Sequence, residues 1–466
     1  MWTFDENWRI IQDNGLGMRG SMLDAPGKEL QACGRQSMKV LIISHNPIST
    51  QSNMGKTFLS LFHQFDREEL CQLYIYPVVP NEDRCASYYR VTDKDVLKAL
   101  IRFQKPGGEM PAERISADHG LYEVPEDQTL YKSRKNKTAL RRLLRDIAWK
   151  LAPWYNSSLK AWLEREKPEC IFVAPGVAKF LYDIALRIAK ERNIPIVTYI
   201  CDEYYFVKKP KQWLDVLRLK LLQRKMEKLF NHTRHLVVIS EELRQAYAKR
   251  FGVDTTVIMT GAAIDVAGVG KTCDQPRNVC YFGNIRCNRY TTLAQIGQAL
   301  DKMNRVYGED YRLKIYTAEK DPEILQVFDG INSVELCGFV SGEAFDRAFR
   351  EADVLVHTEA FDDASIDFTQ HSVSTKIADS LASGIPLIAY GPEQISSMAH
   401  LLRHQCAVTA VSQDGLQAML EKALRDKSAR DDVVKRALSV AAECHDMNHN
   451  SDRFRCVIEE TVKADI

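Results

Sequence analysis

Short apolar runs alternate with longer amphipathic stretches along most of the chain. The first run, Met38–Ser44, opens onto a polar turn and then onto an apolar-periodic stretch from Lys56, which predicts a strand followed by a helix. Further runs predict strands at 73–79, 170–174, 196–200 and 236–239, with helices between them, for example at 180–192. Alternating β and α segments are typical of a parallel sheet with helices on both faces.

A second series of βα units begins at residue 279. Its strand-like runs are 279–283, 313–316, 334–337, 354–357, 386–390 and 406–408. Between the two series, residues 251–277 end in a stretch rich in Gly, Lys, Asp and Pro, which predicts a linker. We therefore expect an α/β protein with two Rossmann-like, doubly wound domains facing a cleft, because ligands of such sheets bind outside the carboxyl ends of the strands.

The same patterns predict four segments. Residues 1–37 have no comparable periodicity and precede Met38, a candidate start, so we expect a mobile N-terminal extension. The first Rossmann-like domain should span 38–262, and the second should span 263–440. Residues 441–466 are helical in pattern without a strand partner, and we expect a terminal helix that packs back on the first domain.

Composition places the chain among ordinary globular proteins and excludes a disordered one. It has 466 residues, of which 45% are hydrophobic and 27% charged. It has no run of about 18 apolar residues and its first residues lack the pattern of a secretory signal, so we expect a cytoplasmic protein. The twelve cysteines form no CxxC pair or His/Cys cluster, and we expect neither disulfides nor a metal.

The net charge of +1 argues against a general nucleic-acid binder, but the charge is unevenly distributed. Residues 131–160 hold nine basic side chains and one acidic one, and residues 208–234 hold nine against two. Trp and Leu residues lie among these cations, Trp213 and Leu217 at helical spacing. Such segments suit the surface of an anionic membrane. The alternative is a core-facing stripe beside a solvated charged face, and both interpretations remain open.

The first domain offers two candidate sites. Gly55-Lys-Thr resembles the end of a Walker A loop, but Thr50 stands where that loop needs a glycine, so an ATP loop is not expected. Gly55 instead allows the backbone to approach a ligand, unless it merely begins a helix. Asp202 follows the strand at 196–200 and could orient an acceptor hydroxyl, although carboxylates on such loops are commonly only solvated.

The second domain contains cations after its first strand. Gly283 ends that strand, and Arg286 and Arg289 follow on the next loop. Guanidinium forks suit the paired oxygens of a diphosphate, although from spacing alone surface arginines are more often simply solvated.

A later loop adds a second anion-binding candidate. Ser374 and Thr375 lead into a short helix whose N–H groups and dipole favour an anion, and Lys376 adds a charge. Asp379, one turn on, could accept hydrogen bonds from the vicinal hydroxyls of a ribose. The alternative is an ordinary αβ unit that ends at Gly384.

These motifs carry a family resemblance. The segment 374–388, STKIADSLASGIPLI, preceded by Gly338-Phe-Val and by 352–356, resembles the donor-binding domain of group 1 glycosyltransferases, glycosyltransferase family 4. The stretch from 238–243 to 261–265 also resembles that family. The resemblance covers about 230–425, and the first domain resembles the family in layout alone.

The resemblance implies the two-domain GT-B arrangement and a retaining, metal-independent transfer from a nucleotide sugar, with no cofactor beyond that substrate. Arg289 stands near the position of the family's diphosphate-binding lysine. Asn284 replaces the family's arginine, which leaves Arg286 as its substitute. Lys376 and the backbone of Ser374 and Thr375 would hold the phosphates, and Asp379 would match the second acid of the family's two-carboxylate motif.

The first acid of that motif is replaced by His371. Asp367, Asp363 or Glu359 on the same loop could reach the sugar instead, so we count Asp379, His371 and Asp367 as candidate catalytic residues. The resemblance makes 38–262 the acceptor domain and 263–440 the donor domain. Because of the two basic segments, we expect transfer to a lipid-linked or surface-polysaccharide precursor, at the inner face of a membrane. The alternatives are a catalytically silent nucleotide-sugar-binding protein and another GT-B enzyme such as an epimerase.

Overall fold

Two separate β-sheets organise the backbone of the computed structural model, which describes residues 37–50, 53–115, 139–207, 212–262 and 272–464. The predicted extension at 1–37 lies outside the described residues except for its last position, and so does the part of the predicted linker at 263–271.

The first sheet has eight strands in the order β4-β3-β2-β1-β5-β6-β7-β8. Its strands are β1 Val40–Ser44, β2 Leu70–Tyr74, β3 Ser87–Arg90, β4 Gly108–Glu109, β5 Cys170–Ala174, β6 Ile196–Ile200, β7 Thr233–Val238 and β8 Asp254–Val257. All pairs are parallel except β3 with β4, which is antiparallel. Every residue of β1, β2, β5 and β6 is buried, as expected where helices cover both faces.

Helices flank this sheet, and particular residues at their ends cap or terminate them. They span Asn53–Leu61, Asp93–Arg102, Ala139–Leu151, Ser157–Glu166, Lys179–Arg192, Trp213–Phe230 and Glu241–Phe251, with 3₁₀ turns at Arg67–Glu69 and Ala112–Arg114. The Asn156 side chain caps one helix by accepting from two backbone N–H groups. Asn193 ends another in the left-handed conformation.

The second sheet has six parallel strands in the order β11-β10-β9-β12-β13-β14, so the strand order reverses between β9 and β12. They are β9 Asn278–Phe282, β10 Arg312–Tyr316, β11 Val334–Gly338, β12 Val354–Thr358, β13 Leu387–Tyr390 and β14 Val408–Ala410. The helices are Arg289–Tyr307, Pro322–Leu325, Glu343–Arg350, Asp363–Thr369, Lys376–Ala382, Ser396–His404, Gln413–Arg425 and Lys427–Cys444, with a 3₁₀ turn at Gln326–Phe328.

The last helix, Met447–Lys463, packs against the first sheet and its helices. Phe454 is fully buried there, with ring centroids 5.1 Å from Phe62 and 5.3 Å from Phe172. Arg455 pairs with Glu69 at 2.6 Å. We call the first sheet, its helices and this last helix the first lobe, and the second sheet with its helices the second lobe. The chain thus passes between the lobes twice.

The predicted α/β architecture with two largely parallel sheets is confirmed. One predicted strand is wrong in position. The run at 73–79 was expected to be one strand, but β2 ends at Tyr74, since the chain turns away before Pro77, which could not donate to a neighbouring strand. The edge strand β8 was not predicted, because its sequence DTTV has no apolar run to reveal it.

Within the described part of the chain, no helix is both long and apolar enough to cross a membrane.

Candidate active site

A cavity of about 770 Å³ lies between the two lobes. Residues of the first lobe line one side, among them Asn46, Thr57, Asp202 and Tyr204. The other side is built around the ends of β9 and β12, where the strand order of the second sheet reverses. Open α/β sheets bind their ligands at such a reversal, because the loops diverge there and leave a crevice.

Lys376 and Asp379 lie on the short helix Lys376–Ala382 and both line the cavity. Both residues expose surface to solvent, but protein atoms surround their charged groups closely enough to shift the pKa of each. Burial, the charge of Arg289 and the charge of Lys56 lower the pKa of Lys376. Burial raises the pKa of Asp379, while Lys56 and Lys376 act in the opposite direction. The helix therefore presents a cation and a carboxylate to the cavity.

Lys56 supplies a second cation from the opposite lobe. It lies in the first turn of helix Asn53–Leu61, which follows β1, and its charge acts on both Lys376 and Asp379. Lys56 is exposed and does not itself line the cavity, although its neighbour Thr57 does. An anion bound between the lobes would be attracted by both lysines.

Arg289 is paired with Glu359 inside the second lobe. Its Nε and Nη2 atoms donate to the two carboxylate oxygens at 3.0 and 2.9 Å. The Glu359 side chain is only 4% exposed and that of Arg289 is 20% exposed. Burial raises the pKa of Glu359, and Arg289 opposes that shift. The guanidinium fork that we assigned to a diphosphate is therefore occupied by a carboxylate in this structure.

His357 lies behind this pair at the end of β12. Burial, Arg289 and Lys376 lower its pKa to about 3, so the ring is neutral at physiological pH. Its Nε2 lies 3.0 Å from Ser397 Oγ and 3.8 Å from Glu359 Oε1. A neutral ring forms no ion pair with Glu359. Among the described residues, the charged partner of Glu359 is therefore Arg289.

Gly283 leaves space for Lys376. A Cβ atom on Gly283 would lie 2.5 Å from Lys376 Nζ, closer than real Cβ contacts allow. The backbone at this position has φ +154°, also unusual for residues with a side chain. Glycine at the end of β9 therefore allows the lysine to reach its place in the cavity.

Asp202, after β6, connects the lobes. Its Oδ1 accepts a hydrogen bond from Ser372 Oγ at 2.9 Å, and burial raises its pKa while His371 acts in the opposite direction. The Nδ1 atom of His371 is buried and has no hydrogen-bond partner among the described residues. The acidic side chains that line the described part of the cavity are Asp202, Glu359 and Asp379.

The structure brings together six of the predicted site residues at the cavity wall: Asp202, Arg289, Ser374, Thr375, Lys376 and Asp379. Gly283 adjoins them through Lys376. Gly55 is buried within the first turn of its helix, because that helix begins at Asn53 rather than at Lys56 as we expected.

Besides Gly55 and Gly283, three predicted residues are not among those that line the cavity. Arg286 is 57% exposed and pairs with Glu319 through two hydrogen bonds, of 2.6 and 2.9 Å. Asp367 is exposed on helix Asp363–Thr369. His371 lies next to the cavity residue Ser372. The proposed substitution of Arg286 for the family's arginine is not supported by this placement.

Sequence reasoning missed Lys56 as a site residue. The available signal was its position just after the first strand and turn, where ligands of such sheets bind. We considered it there only as part of a Walker A loop. Its partner cation comes from a residue 320 positions later, and no local pattern indicates that pairing.

The comparisons with known proteins agree with this fold. A family model described as Glycosyltransferase Family 4 matches residues 118–266, mainly in the first lobe, where our motifs were weakest. A search of curated protein sequences gives no match.

Several solved structures share the fold at low sequence identity. A sucrose-phosphate synthase from Thermosynechococcus elongatus has 11% identity and a TM-score of 0.58, covering 92% of this chain and 100% of that chain. HepE from Anabaena, in complex with UDP and glucose, has 11% identity and a TM-score of 0.57, over 91% and 100%. An alpha,alpha-trehalose-phosphate synthase (UDP-forming) from Burkholderia xenovorans, in complex with glucose-6-phosphate, has 12% identity and a TM-score of 0.55, over 91% and 100%. The match over residues 118–266 and the shared fold confirm the resemblance to family 4 glycosyltransferases with the GT-B fold.

Proposed function

We propose that the chain is a glycosyltransferase that moves a sugar from a nucleoside diphosphate to an acceptor hydroxyl. The observation that carries the proposal is the cavity wall formed by Ser374, Thr375, Lys376 and Asp379 at the point where the strand order reverses. The charge of Lys56, from the opposite lobe, acts on both Lys376 and Asp379. The family match and the fold support the same activity.

The two lysines suit a diphosphate leaving group. When the bond between sugar and phosphate breaks, negative charge develops on the phosphate oxygens, and fixed cations stabilise it without reorganising. Backbone N–H groups near Ser374 and Thr375 add donors at the same place. We propose that these groups do the work without a metal ion, and that Asp379 accepts hydrogen bonds from the ribose hydroxyls.

The pairing of Arg289 with Glu359 suggests roles for these two residues that differ from those implied by the family resemblance. Since Glu359 already accepts hydrogen bonds from both Nε and Nη2 of Arg289, we propose that Arg289 holds Glu359 at the cavity wall. Glu359 would then present a carboxylate to the sugar, as the alternative to the acid that His371 replaces. The acceptor hydroxyl would attack from the face the phosphate leaves, with retention at the anomeric carbon.

The acceptor should enter from the first lobe beside Asp202 and Tyr204, which line that side of the cavity. A carboxylate there can orient a hydroxyl by accepting its proton in a hydrogen bond. We propose a lipid-linked or surface-polysaccharide precursor as the acceptor, used by a cytoplasmic enzyme at the inner face of a membrane. The trehalose-phosphate synthase of the same fold was solved in complex with glucose-6-phosphate, so a soluble sugar phosphate is the acceptor to test against the lipid-linked one.

A catalytically silent nucleotide-sugar-binding protein is the second candidate. It is favoured by His371, whose ring replaces the first acid of the motif and whose Nδ1 has no partner among the described residues. Both candidates bind the nucleotide sugar, and only the enzyme turns it over.

Calorimetric titration with UDP, followed by a panel of nucleotide sugars, tests the shared part of the proposal. UDP is the first probe because HepE was solved with it. Saturable binding that Lys376→Ala weakens is expected, and absence of binding by every nucleotide would overturn the site assignment. Release of nucleoside diphosphate in the presence of acceptors then supports the enzyme, whereas binding without release over a broad acceptor panel supports the silent protein.

A further inference from the structure

Exposed apolar side chains project from helix Asp93–Arg102 and the residue after it. Leu97 is 52% exposed, Ile101 75% and Phe103 94%. The opposite side of this helix is anchored, since Val96 and Ala99 are buried and Asp93 accepts hydrogen bonds from Arg145 and Trp149. Large apolar groups are therefore held out toward solvent by a fixed helix.

The neighbouring helix Ala139–Leu151 exposes a second apolar stripe. Leu144, Ile147 and Leu151 are 55%, 43% and 67% exposed and lie on one face at helical spacing. The other face is fixed by Trp149, which stacks on Phe180 with ring centroids 4.1 Å apart. The stripe is thus an unpartnered face among the described residues of the lobe.

A third set comes from the start of helix Trp213–Phe230. Trp213 is 73% exposed and Leu217, one turn later, is 40% exposed. Phe206 and Val207, on the loop before this helix, are 44% and 43% exposed. Helix Ala139–Leu151 contacts both of the other helices, so the three sets lie on neighbouring helices of one lobe. We call them together the apolar rim.

The topology places the starts of two of the three sets, those that follow β3 and β6, at the carboxyl edge of the first sheet. Because Arg90 of β3 pairs with Gly108 of the antiparallel β4, the segment between them leaves and re-enters the sheet at that edge. Residues 206–207 and Trp213 follow β6 and start from the same edge. The cavity opens along this edge too, since Asp202 directly follows the end of β6.

Cations lie among the apolar side chains of the rim. Helix Ala139–Leu151 contains Arg141, Arg142, Arg145 and Lys150 against a single acid, Asp146, which pairs with Lys179. Helix Trp213–Phe230 contains five basic residues against two acidic ones, and Arg218 pairs with one of these, Asp215. Lys98, Lys150 and Lys220 are exposed. Apolar side chains interspersed with cations are typical of helices that lie in the interface of an anionic membrane.

We propose that the apolar rim docks onto the surface of an anionic phospholipid bilayer. The membrane contact expected from the sequence is thereby placed on partly different residues, since Leu151, Trp213 and Leu217 remain in it. Trp149, Trp154 and Leu222 are buried and contribute to the core, and Lys208, Lys209 and Lys211 lie outside the described residues. Helix Asp93–Arg102, which no sequence pattern singled out, takes part instead. The docking itself does not depend on the proposed transferase activity. Its role, which is to bring a lipid-linked acceptor to the cavity, rests on that activity.

Co-sedimentation with vesicles of three parts phosphatidylcholine to one part phosphatidylglycerol tests the proposal on the full chain. One variant removes exposed apolar groups: Ile101→Ser, Leu151→Ser and Trp213→Ser. A second removes charge: Lys98→Gln, Lys150→Gln and Lys220→Gln. The matched control removes three exposed lysines of the second lobe: Lys302→Gln, Lys320→Gln and Lys435→Gln.

The unmodified chain should bind these vesicles, bind pure phosphatidylcholine weakly, and be released by salt. The charge variant should lose affinity by about a hundredfold and the apolar variant by roughly tenfold, while the control binds as the unmodified chain does. UDP titration keeps this test separate from the proposed function, because all three variants should keep the affinity for UDP. Absent vesicle binding, or equal losses in the control, would overturn the proposal. If the unmodified chain binds no vesicles but self-associates, and the apolar variant does not self-associate, the apolar rim would instead contact a second copy of the chain.

Discussion

The hydroxyl of Ser372 in the second lobe donates a hydrogen bond to Asp202 of the first lobe at 2.9 Å, across the cavity. Other polar contacts between the lobes include Arg403 with Glu242 at 2.7 Å. Ser372 lies just before the residues assigned to phosphate binding, and Asp202 lies on the side assigned to the acceptor. A change at Asp202 therefore affects both the acceptor side and the closure of the lobes, and an experiment must separate the two.

Replacing Asp202 by Ala should raise the KM for the acceptor at least several-fold and leave UDP affinity nearly unchanged, because the carboxylate faces the acceptor side. Initial rates at varied acceptor concentration and a UDP titration measure the two effects. Glu242→Ala is the control, since it removes another contact between the lobes but does not line the cavity. Equal effects of both variants would show that Asp202 acts through lobe closure alone.

Replacing Gly283 by Ala should weaken UDP binding, because the new Cβ would displace the Lys376 ammonium group from 2.5 Å away. Lys376→Ala should cost about 1.5–3 kcal/mol of binding free energy, the range for charge-assisted hydrogen bonds, and Gly283→Ala somewhat less. Calorimetric titration measures both. Gly415→Ala, where the nearest atom is 3.5 Å away, should bind UDP normally. Normal binding by Gly283→Ala and Lys376→Ala would remove Lys376 from the site.

Replacing Arg289 by Ala should destabilise the fold by about 3 kcal/mol, because it leaves the buried Glu359 carboxylate without its cation. Urea denaturation measures the free energy of unfolding. Glu359→Gln should cost less, since the amide still accepts from a guanidinium that is partly solvated. If Arg289→Ala instead keeps its stability and loses UDP affinity, the arginine serves the diphosphate, as the family resemblance implies.

Unfolding should become easier as the pH falls below about 6.5, the ordinary pKa of histidine. Burial lowers the pKa of both His400 and His445, whose Nε2 atoms lie 3.2 Å apart, so the folded chain leaves them neutral. The unfolded chain binds more protons there, and the free energy of unfolding decreases with falling pH by up to about 1.4 kcal/mol per pH unit and histidine.

Urea titrations at two pH values measure this slope. His400→Gln keeps a donor for His445 and should flatten the pH dependence, whereas the exposed His232→Gln should not. An unchanged slope in His400→Gln would contradict the assignment.

Turnover should survive His371→Ala better than Asp379→Ala, because Asp379 would fix the ribose on which the geometry of transfer depends. Nucleoside diphosphate release with an acceptor present is the assay. Asp379→Asn serves as the isosteric variant and should fall between the two. A loss of turnover confined to His371→Ala would give the histidine a direct part in the chemistry.

The sequence predicted most of the fold, because buried parallel strands are nearly continuous apolar runs. The strands at 170–174 and 196–200 agree residue for residue with β5 and β6. Both edge strands of the first sheet were missed for the converse reason: β8 is the polar DTTV, and β4 has only two residues. Hydrophobic periodicity cannot identify strands that bury so little.

The sequence predicted which types of residue form the site, but not which of their side chains pair with each other. The loop at 374–379 was found because its helix start, lysine and acid lie close together along the chain. That Arg289 binds Glu359 depends on β9 and β12 being neighbours, which the strand order decides and local pattern does not. Lys56 was missed for the same reason, since its partners lie in the other lobe.

The double passage between the lobes affects how the protein forms during synthesis. Phe454, near the end of the chain, completes a cluster with Phe62 and Phe172. A ribosome releases the first lobe's sheet long before residue 454 emerges, so that sheet must wait with part of its apolar surface uncovered while the entire second lobe is made. The order of translation and the order of final packing therefore differ, and the first lobe completes its core only after the second lobe has been made.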